Sequence, residues 1–165
     1  MSYKISYSIT PDQAIEDVVN GIRKQVQRRT YLAANELRNS ALIVLRGQRH
    51  GRRYKVPGTY RRQRDKTDGK MKNGRYYTAS APGEPPAVRT GNFRNSWQVS
   101  QTPVREIFGS YNARIESDLR TDDGKHLLGE VLEDGTRRMA PRPYIERTLE
   151  HAEPKIVRIF SEPYD

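Results

Sequence analysis

The sequence predicts an α+β fold, in which a long N-terminal helix and a C-terminal helix pack on a small antiparallel sheet. Three observations lead to this prediction. Apolar residues recur with helical spacing from residue 11 to about 46, short segments alternate with period two, and helical spacing returns after residue 143. At 165 residues the chain fits a single domain, 1–165, interrupted by an extended basic arm at about residues 47–77.

The N-terminal part begins with a strand pattern and continues as the long helix. Residues 3–9 alternate between apolar and polar side chains, which is typical of a half-buried strand. Thr10 suits the N-cap position, Pro11 the first helical position, and Asp12 the positive end of the helix dipole. The helix is predicted over residues 11–46, and its apolar stripe consists of Ile15, Val18, Val19, Ile22, Val26, Ala33, Leu37, Ala41, Val44 and Leu45.

The length of this helix bears on assembly. At 1.5 Å per residue it spans roughly 50 Å, which exceeds the width of a small body. Neighbours are therefore expected to cover part of it. Ordinary core packing and a subunit contact are both open interpretations of the stripe, and both can hold at different ends.

The second half of the chain is predicted to contain shorter elements. Thr90 is placed to cap a short helical turn, and Pro143 begins a helix that Pro154 is expected to kink or restart. The segment 127–132 is short and apolar and fits either a strand or a helix. Strands are expected at residues 97–101, 104–108 and 111–117, with a turn at 121–124.

The positive charge of the chain is concentrated in the arm. The net charge is +10, and residues 46–75 contain 12 basic and two acidic residues, so the rest of the chain is neutral. Residues 46–90 contain only Val56 and Val88 among Leu, Ile, Val and Phe. A segment so basic and so poor in apolar side chains indicates contact with an anionic partner rather than a part of the core.

The arm is compatible with two kinds of partner, which the sequence leaves open. Tyrosines interleave with Arg and Lys, a combination that suits phosphate contact and base stacking. No sequence-reading module is present, so contact with nucleic acid would be independent of sequence. Docking on an acidic protein surface is the equal alternative. The predicted contact residues are Arg49, Arg52, Arg53, Lys55, Arg61, Arg62, Arg64, Lys66, Lys70, Lys72 and Arg75.

The sequence contains no recognisable catalytic set. His50, His126 and His151 are scattered without ligand spacing, and the acidic residues between 118 and 134 match no calcium loop. There is no nucleophile elbow, P-loop or dinucleotide fingerprint, and no cysteine. We therefore expect no catalytic residues, no metal and no cofactor, and a protein that is not an enzyme. Residues 1–7 lack the apolar run of a signal peptide, and no membrane association is expected.

Two motifs rich in glycine and proline carry a family resemblance. The first, Ser-Ala-Pro-Gly-Glu-Pro-Pro-Ala-Val-Arg-Thr-Gly-Asn-Phe over residues 80–93 with Ser96, resembles a pattern of the gene-product-ten-like tail components of tailed bacteriophages. Phe93 stands where the family has an aliphatic residue. The second, Glu133-Asp-Gly-Thr-Arg-Arg-Met-Ala-Pro-Arg-Pro-Tyr144, resembles a later pattern of the same family. The basic arm is longer and more charged than the family leads us to expect.

The resemblance implies a structural virion protein that acts in head–tail joining or tail completion. The resemblance implies a ring at the neck, so the first expected partners are further copies of this chain, with six copies favoured. The other expected partners are head-closure or connector proteins and tail-terminator or tail-tube proteins. Packaged DNA, contacted without sequence specificity, is a further possible partner. The chain would be made in the host cytoplasm and reside in the virion. The residues implied to have structural roles are Pro82, Gly83, Pro85, Pro86, Thr90, Gly91, Phe93, Gly135, Thr136, Arg142 and Pro143.

Overall fold

The computed structural model describes residues 10–56, 75–103 and 111–164. Its elements are two long helices, two short helices and two small antiparallel sheets, which confirms the predicted α+β class. The expected strands at 3–9 and 104–108 lie outside the described residues. So do residues 57–74, which include Arg61, Arg62, Arg64, Lys66, Lys70 and Lys72.

Helix α1 spans Pro11–Arg46, as predicted. The Thr10 hydroxyl accepts from the Gln13 N–H and the Gln13 side chain accepts from the Thr10 N–H, both at 3.4 Å, so two otherwise unpaired donors are satisfied. The buried residues of α1 all fall in its second half, from Arg29 onward, whereas most of residues 11–28 are exposed. The predicted stripe is therefore a core face at one end of the helix and a surface at the other.

The C-terminal helix, α4, spans Ile145–Ser161 and lies antiparallel to α1. Successive contacts show this direction, because later residues of the C-terminal segment meet earlier residues of α1. His151 Nδ1 lies 2.9 Å from the Ser40 hydroxyl, and Lys155 Nζ lies 3.2 Å from the Glu36 carboxylate. The Arg29 guanidinium donates to the carbonyl groups of Glu162 and Pro163. Small side chains allow the helices to approach closely, since Ala33, Ala34, Ala41 and Ala152 are all buried.

Helix α4 runs without interruption through Pro154, so the expected restart at this residue is wrong. Proline removes one hydrogen bond of the helix ladder, but the two neighbouring turns are held against α1 by His151 and Lys155. Tertiary packing keeps the helix continuous despite the local preference.

The sheets are two separate pairs rather than the single small sheet of the prediction. Strands β1, Arg53–Lys55, and β2, Tyr76–Thr78, form a short antiparallel ribbon at the base of the arm. Strands β3, Gln98–Pro103, and β4, Tyr111–Glu116, form a second antiparallel pair that packs on α1.

Two short helices complete the fold. Helix α2 spans Asn92–Asn95, within the predicted helical turn, and α3 spans Leu128–Asp134, so the ambiguous apolar segment is helical. The expected turn at residues 121–124 is closed by the Gly124 N–H, which donates to the Thr121 carbonyl at 2.8 Å. No helix of the described residues has a stretch long and apolar enough to cross a membrane.

Candidate functional site

The two motifs, which begin at Ser80 and Glu133, contact each other directly. Arg142 Nη1 donates to the Ser80 carbonyl at 3.1 Å, and the Gly83 N–H donates to the Pro141 carbonyl at 3.2 Å. From α4, Arg147 donates to the Gly83 carbonyl at 3.2 Å. Arg142, which the family resemblance implies has a structural role, contacts the first motif through one nitrogen of its guanidinium group.

The first motif is also tied to the end of α1 through Arg49. The Arg49 guanidinium donates to the carbonyl groups of Val44, Gln48 and Pro86 at 2.8–3.3 Å. Partial burial lowers the pKa of Arg49. Arg49 is among the predicted arm contacts, but its guanidinium donors bind carbonyl groups of the folded body instead.

Glu84 and His50 form a second link between these regions, which the sequence pattern does not indicate. Glu84 accepts from the N–H groups of Ala81 and His50 at 2.8 and 3.1 Å, and His50 Nδ1 lies 2.6 Å from its other oxygen. The backbone donors Ala81 and His50, followed by the His50 ring, lower the pKa of Glu84 to about 2. Glu84 belongs to the first motif, but its partner His50 is 34 residues away. The sequence therefore shows the carboxylate in the motif but does not indicate which residue it pairs with.

The prolines of the first motif differ in their surroundings. Pro85 and Pro86 are buried, and the Pro85 carbonyl accepts from the buried Ser80 hydroxyl at 2.7 Å. Pro82 and Gly83 are exposed at the outer bend. The motif is thus a rigid loop whose inner side is held by hydrogen bonds and whose tip faces outward.

The end of the first motif starts α2 and presents an aromatic anchor. Gly91 caps α2 with φ of 91°, a left-handed conformation that favours glycine, and the Thr90 hydroxyl accepts from the Asn92 N–H at 3.3 Å. Phe93 packs edge-on against Trp97 and Tyr144, with ring centroids 5.8 and 5.6 Å away. Tyr144 closes the second motif, so the two motifs also meet through their aromatic side chains.

The second motif contains a turn that requires glycine at residue 135. Gly135 has φ of 76° and ψ of −169°, and a Cβ there would lie 2.6 Å from the Met139 carbonyl oxygen and 2.7 Å from the Pro141 nitrogen. The Thr136 hydroxyl accepts from the N–H groups of Arg138 and Met139 at 3.2 and 3.1 Å. This turn precedes Arg142, which contacts the first motif, and the half-buried Pro143.

Glu133 accepts the hydrogen bonds at the start of α4 that a capping side chain at residue 144 would otherwise accept. Tyr144 occupies the N-cap position and has no capping side chain, so the first N–H groups of α4 need another acceptor. The Glu133 carboxylate accepts from Tyr144 and Ile145 at 2.9 and 3.3 Å. The absence of Ser, Thr, Asp or Asn before this helix was the available signal. Burial, and then the nearby Glu133, raises the pKa of the Tyr144 hydroxyl.

A groove of about 680 Å³ lies beside the joined motifs. Leu45, Phe93, Leu128 and Leu132 contribute apolar surface, and Arg142 is one of the arginines that line the groove. No group of three His, Asp or Glu side chains within the described residues could hold a metal ion.

The base of the arm combines guanidinium groups with aromatic rings. In the β1–β2 ribbon, Tyr54 and Tyr77 are opposite each other and stack with centroids 5.9 Å apart. Arg53 lies over the Tyr76 ring at 4.5 Å, and Arg52 over Tyr54 at 5.7 Å. The side chains of Arg52, Arg53, Lys55, Arg75 and Tyr76 are exposed, so the base of the arm presents cations and aromatic rings on a defined ribbon.

Large apolar side chains remain exposed on both long helices. In the first half of α1 they include Ile15 at 63% and Val18 at 61%, followed by Val19 and Ile22. On α4 they are Ile145, Leu149, Val157 and Phe160. Scattered apolar side chains are normal on protein surfaces, but those of α1 form one continuous stripe with helical spacing.

Comparison with known proteins found no family model, curated protein or solved structure with significant similarity to this chain.

Proposed function

We propose that this chain is a structural virion protein of a tailed bacteriophage, forming a ring at the neck between the head connector and the tail tube. The observation that carries the proposal is the exposed apolar stripe in the first half of α1. Four aliphatic side chains on one helical face gain stability by burial, roughly 25 cal/mol per Å² removed from water. An assembly of copies would provide that burial.

The joined motifs support the same proposal because they make a rigid body. Arg142, Glu84 and Arg49 each hold main-chain groups from a distant part of the chain. A ring that transmits force between head and tail needs subunits of fixed shape, and the two motifs provide that shape. Their resemblance to the phage tail-component family gives the specific location.

Imaging of intact virions of the phage that encodes the chain tests this proposal. We expect a closed ring of identical copies at the head–tail junction, and the resemblance to the phage tail-component family favours six copies. Mass spectrometry of purified particles should identify the chain as a virion component. Absence of the chain from particles, or a single copy at the junction, would contradict the proposal.

The second candidate function is sequence-independent binding of nucleic acid by the arm. The observation that favours it is the exposed pairing of Arg52 and Arg53 with tyrosine rings on the ribbon. Phosphate contact predicts that the logarithm of DNA affinity falls steeply with the logarithm of salt concentration, by about 0.9 per phosphate engaged. Binding of duplex DNA by the purified protein across a salt series measures this slope. Negligible affinity at low salt would exclude the candidate.

A further inference from the structure

The base of the arm and the N-terminal turns of α1, residues 11–22, have complementary surfaces, whereas Arg23, Lys24 and Arg28 make the rest of the first half of α1 basic. Residues 11–22 contain three acidic side chains, Asp12, Glu16 and Asp17, and no basic one. The described residues at the base of the arm, 46–56 and 75–78, contain no acidic side chain. The surface on α1 carries aliphatic side chains and carboxylates, and the surface at the base of the arm carries aromatic rings, guanidinium groups and an ammonium group.

Helical geometry places the charges of α1 beside its stripe. Residues 12, 15, 19 and 22 share one face at intervals of three and four, so Asp12 lies on the stripe, and Glu16 borders it. The antiparallel register of the ribbon places Arg53, Lys55 and Tyr76 on one face. Each surface therefore presents apolar area and charge side by side, with opposite signs.

The two surfaces cannot meet within one chain. The Arg49 guanidinium is bonded to the Val44 carbonyl, and Val44 lies about 38 Å along the helix axis from Val19 at 1.5 Å per residue. The four residues from Arg49 to Arg53 span at most about 14 Å. The ribbon therefore stays near the C-terminal end of α1, and the acidic stripe lies at the other end.

We propose that the β1–β2 ribbon of one copy docks on the acidic, aliphatic N-terminal turns of α1, residues 11–22, of the next copy. Different surfaces at opposite ends of one subunit give a head-to-tail contact, which generates a ring where the rotation closes. The inference deepens the proposed function, because it names the surfaces through which copies join. The charge on α1 favours this occupant for the ribbon over nucleic acid, since the stripe is the acidic apolar surface that the ribbon complements.

Disulfide trapping tests this contact, because the chain has no cysteine of its own. Val19→Cys is placed on the stripe and Lys55→Cys on the ribbon, which leaves Arg53 and Tyr76 in position. An oxidised mixture of the two single variants should give a linked heterodimer at least tenfold faster than either variant alone. The double variant should give a ladder of oligomers. Pairing Lys55→Cys with Val157→Cys, on the exposed side of α4, is the matched control and should give only background linkage.

Charge reversal separates a specific contact from random collision. In the double-cysteine chain, Arg53→Glu should reduce the ladder at least tenfold, and addition of Asp12→Arg and Glu16→Arg should restore it. Equal linkage by Val19→Cys alone would show a symmetric contact and overturn the proposal. Absence of the ladder, combined with loss of DNA binding on Arg53→Glu, would assign the ribbon to nucleic acid and overturn it as well.

The same measurements distinguish this contact from the proposed function. A ring in virions whose subunits fail to link residues 19 and 55 would contradict the contact and leave the ring. A ladder in solution from a chain that is absent from virions would support the contact and contradict the function in the neck.

Discussion

Arg142 is the residue through which the second motif holds the first. Its Nη1 donates to the Ser80 carbonyl at 3.1 Å in a half-buried position. Arg142→Ala should lower the free energy of unfolding by about 1.5–3 kcal/mol, because a hydrogen bond from a charged donor is lost and the carbonyl stays shielded from water. Denaturant titration measures this, with the exposed Arg138→Ala as the control. Equal loss in both variants would show that the link between the motifs adds nothing.

Glu84 makes stability depend on acid pH. Its pKa is near 4.5 in an unfolded chain and about 2 in the fold, because main-chain N–H groups stabilise the carboxylate. A depressed pKa gives a contribution that is complete above pH 4.5 and disappears as the pH falls from 4.5 towards 2. Unfolding of Glu84→Gln measured between pH 6 and 2, about the range this linkage covers, should show a flatter decline than the wild type.

The His50 ring is the smaller cause of that shift, so His50→Ala should keep most of the wild-type slope. The main-chain N–H groups of Ala81 and His50 remain in this variant. A Glu84→Gln profile that parallels the wild type would mean that these hydrogen bonds do not favour the ionised carboxylate in solution.

At the scale of elements, the parts that could be predicted from sequence are those with local signals. Thr10 and Pro11 mark the start of α1, and Gly47 marks its end. The β1–β2 ribbon was missed because it pairs Lys55 with Tyr76, across 20 intervening residues in a segment dominated by charge. Strand pairing over such a distance depends on tertiary contacts, which the amino-acid pattern does not carry.

The candidate site follows the same division. The motif sequence indicates a fixed backbone at Gly91 and Gly135, and both have positive φ. The family resemblance implies a structural role for Arg142, but not that its partner is the Ser80 carbonyl. The pairs His50–Glu84 and Arg49–Pro86 could not be inferred, because each joins residues more than 30 positions apart.

Helix α4 carries a proline that its packing tolerates. Pro154 lies inside α4 and is exposed, so its ring contributes little to the core and it leaves one carbonyl of the preceding turn without a helical donor. Pro154→Ala should raise the free energy of unfolding by about 1–3 kcal/mol, partly offset by greater freedom of the unfolded chain. Thermal melts measure this, with Glu153→Ala as the neighbouring control. No gain over that control would show that the helix already compensates for the missing N–H.

At the scale of the molecule, the stability of the folded body does not depend on the charge of the arm. Reversal of Arg52, Arg53, Arg61, Arg62 and Arg64 to Glu changes the net charge from +10 to zero, since each replacement removes two charges. Only exposed ring contacts of Arg52 and Arg53 are lost from the described part of the chain, each about 0.5–1 kcal/mol. The far-ultraviolet circular dichroism spectrum should therefore stay that of the wild type, while head–tail joining is lost.

Reversal of Arg120, Arg137 and Arg138, which are exposed on the body, is the control for general charge effects. It should leave joining intact. If the arm variant joins heads to tails as well as this control does, the concentration of charge in the arm has no part in assembly.

Because burial along α1 is uneven, its two halves should differ in how often they unfold locally. Residues 33–45 are clamped by α4 and the β3–β4 pair, whereas residues 11–28 are mostly exposed and include Gly21, which weakens a helix by about 1 kcal/mol relative to alanine. Amide hydrogens of the first half should therefore exchange with solvent much faster than those of the second, as measured by mass spectrometry. Docking of a neighbour would slow exchange there selectively. Association of the first copies would then include the entropic cost of ordering residues 11–28. Assembly should therefore start slowly and accelerate once a template is present.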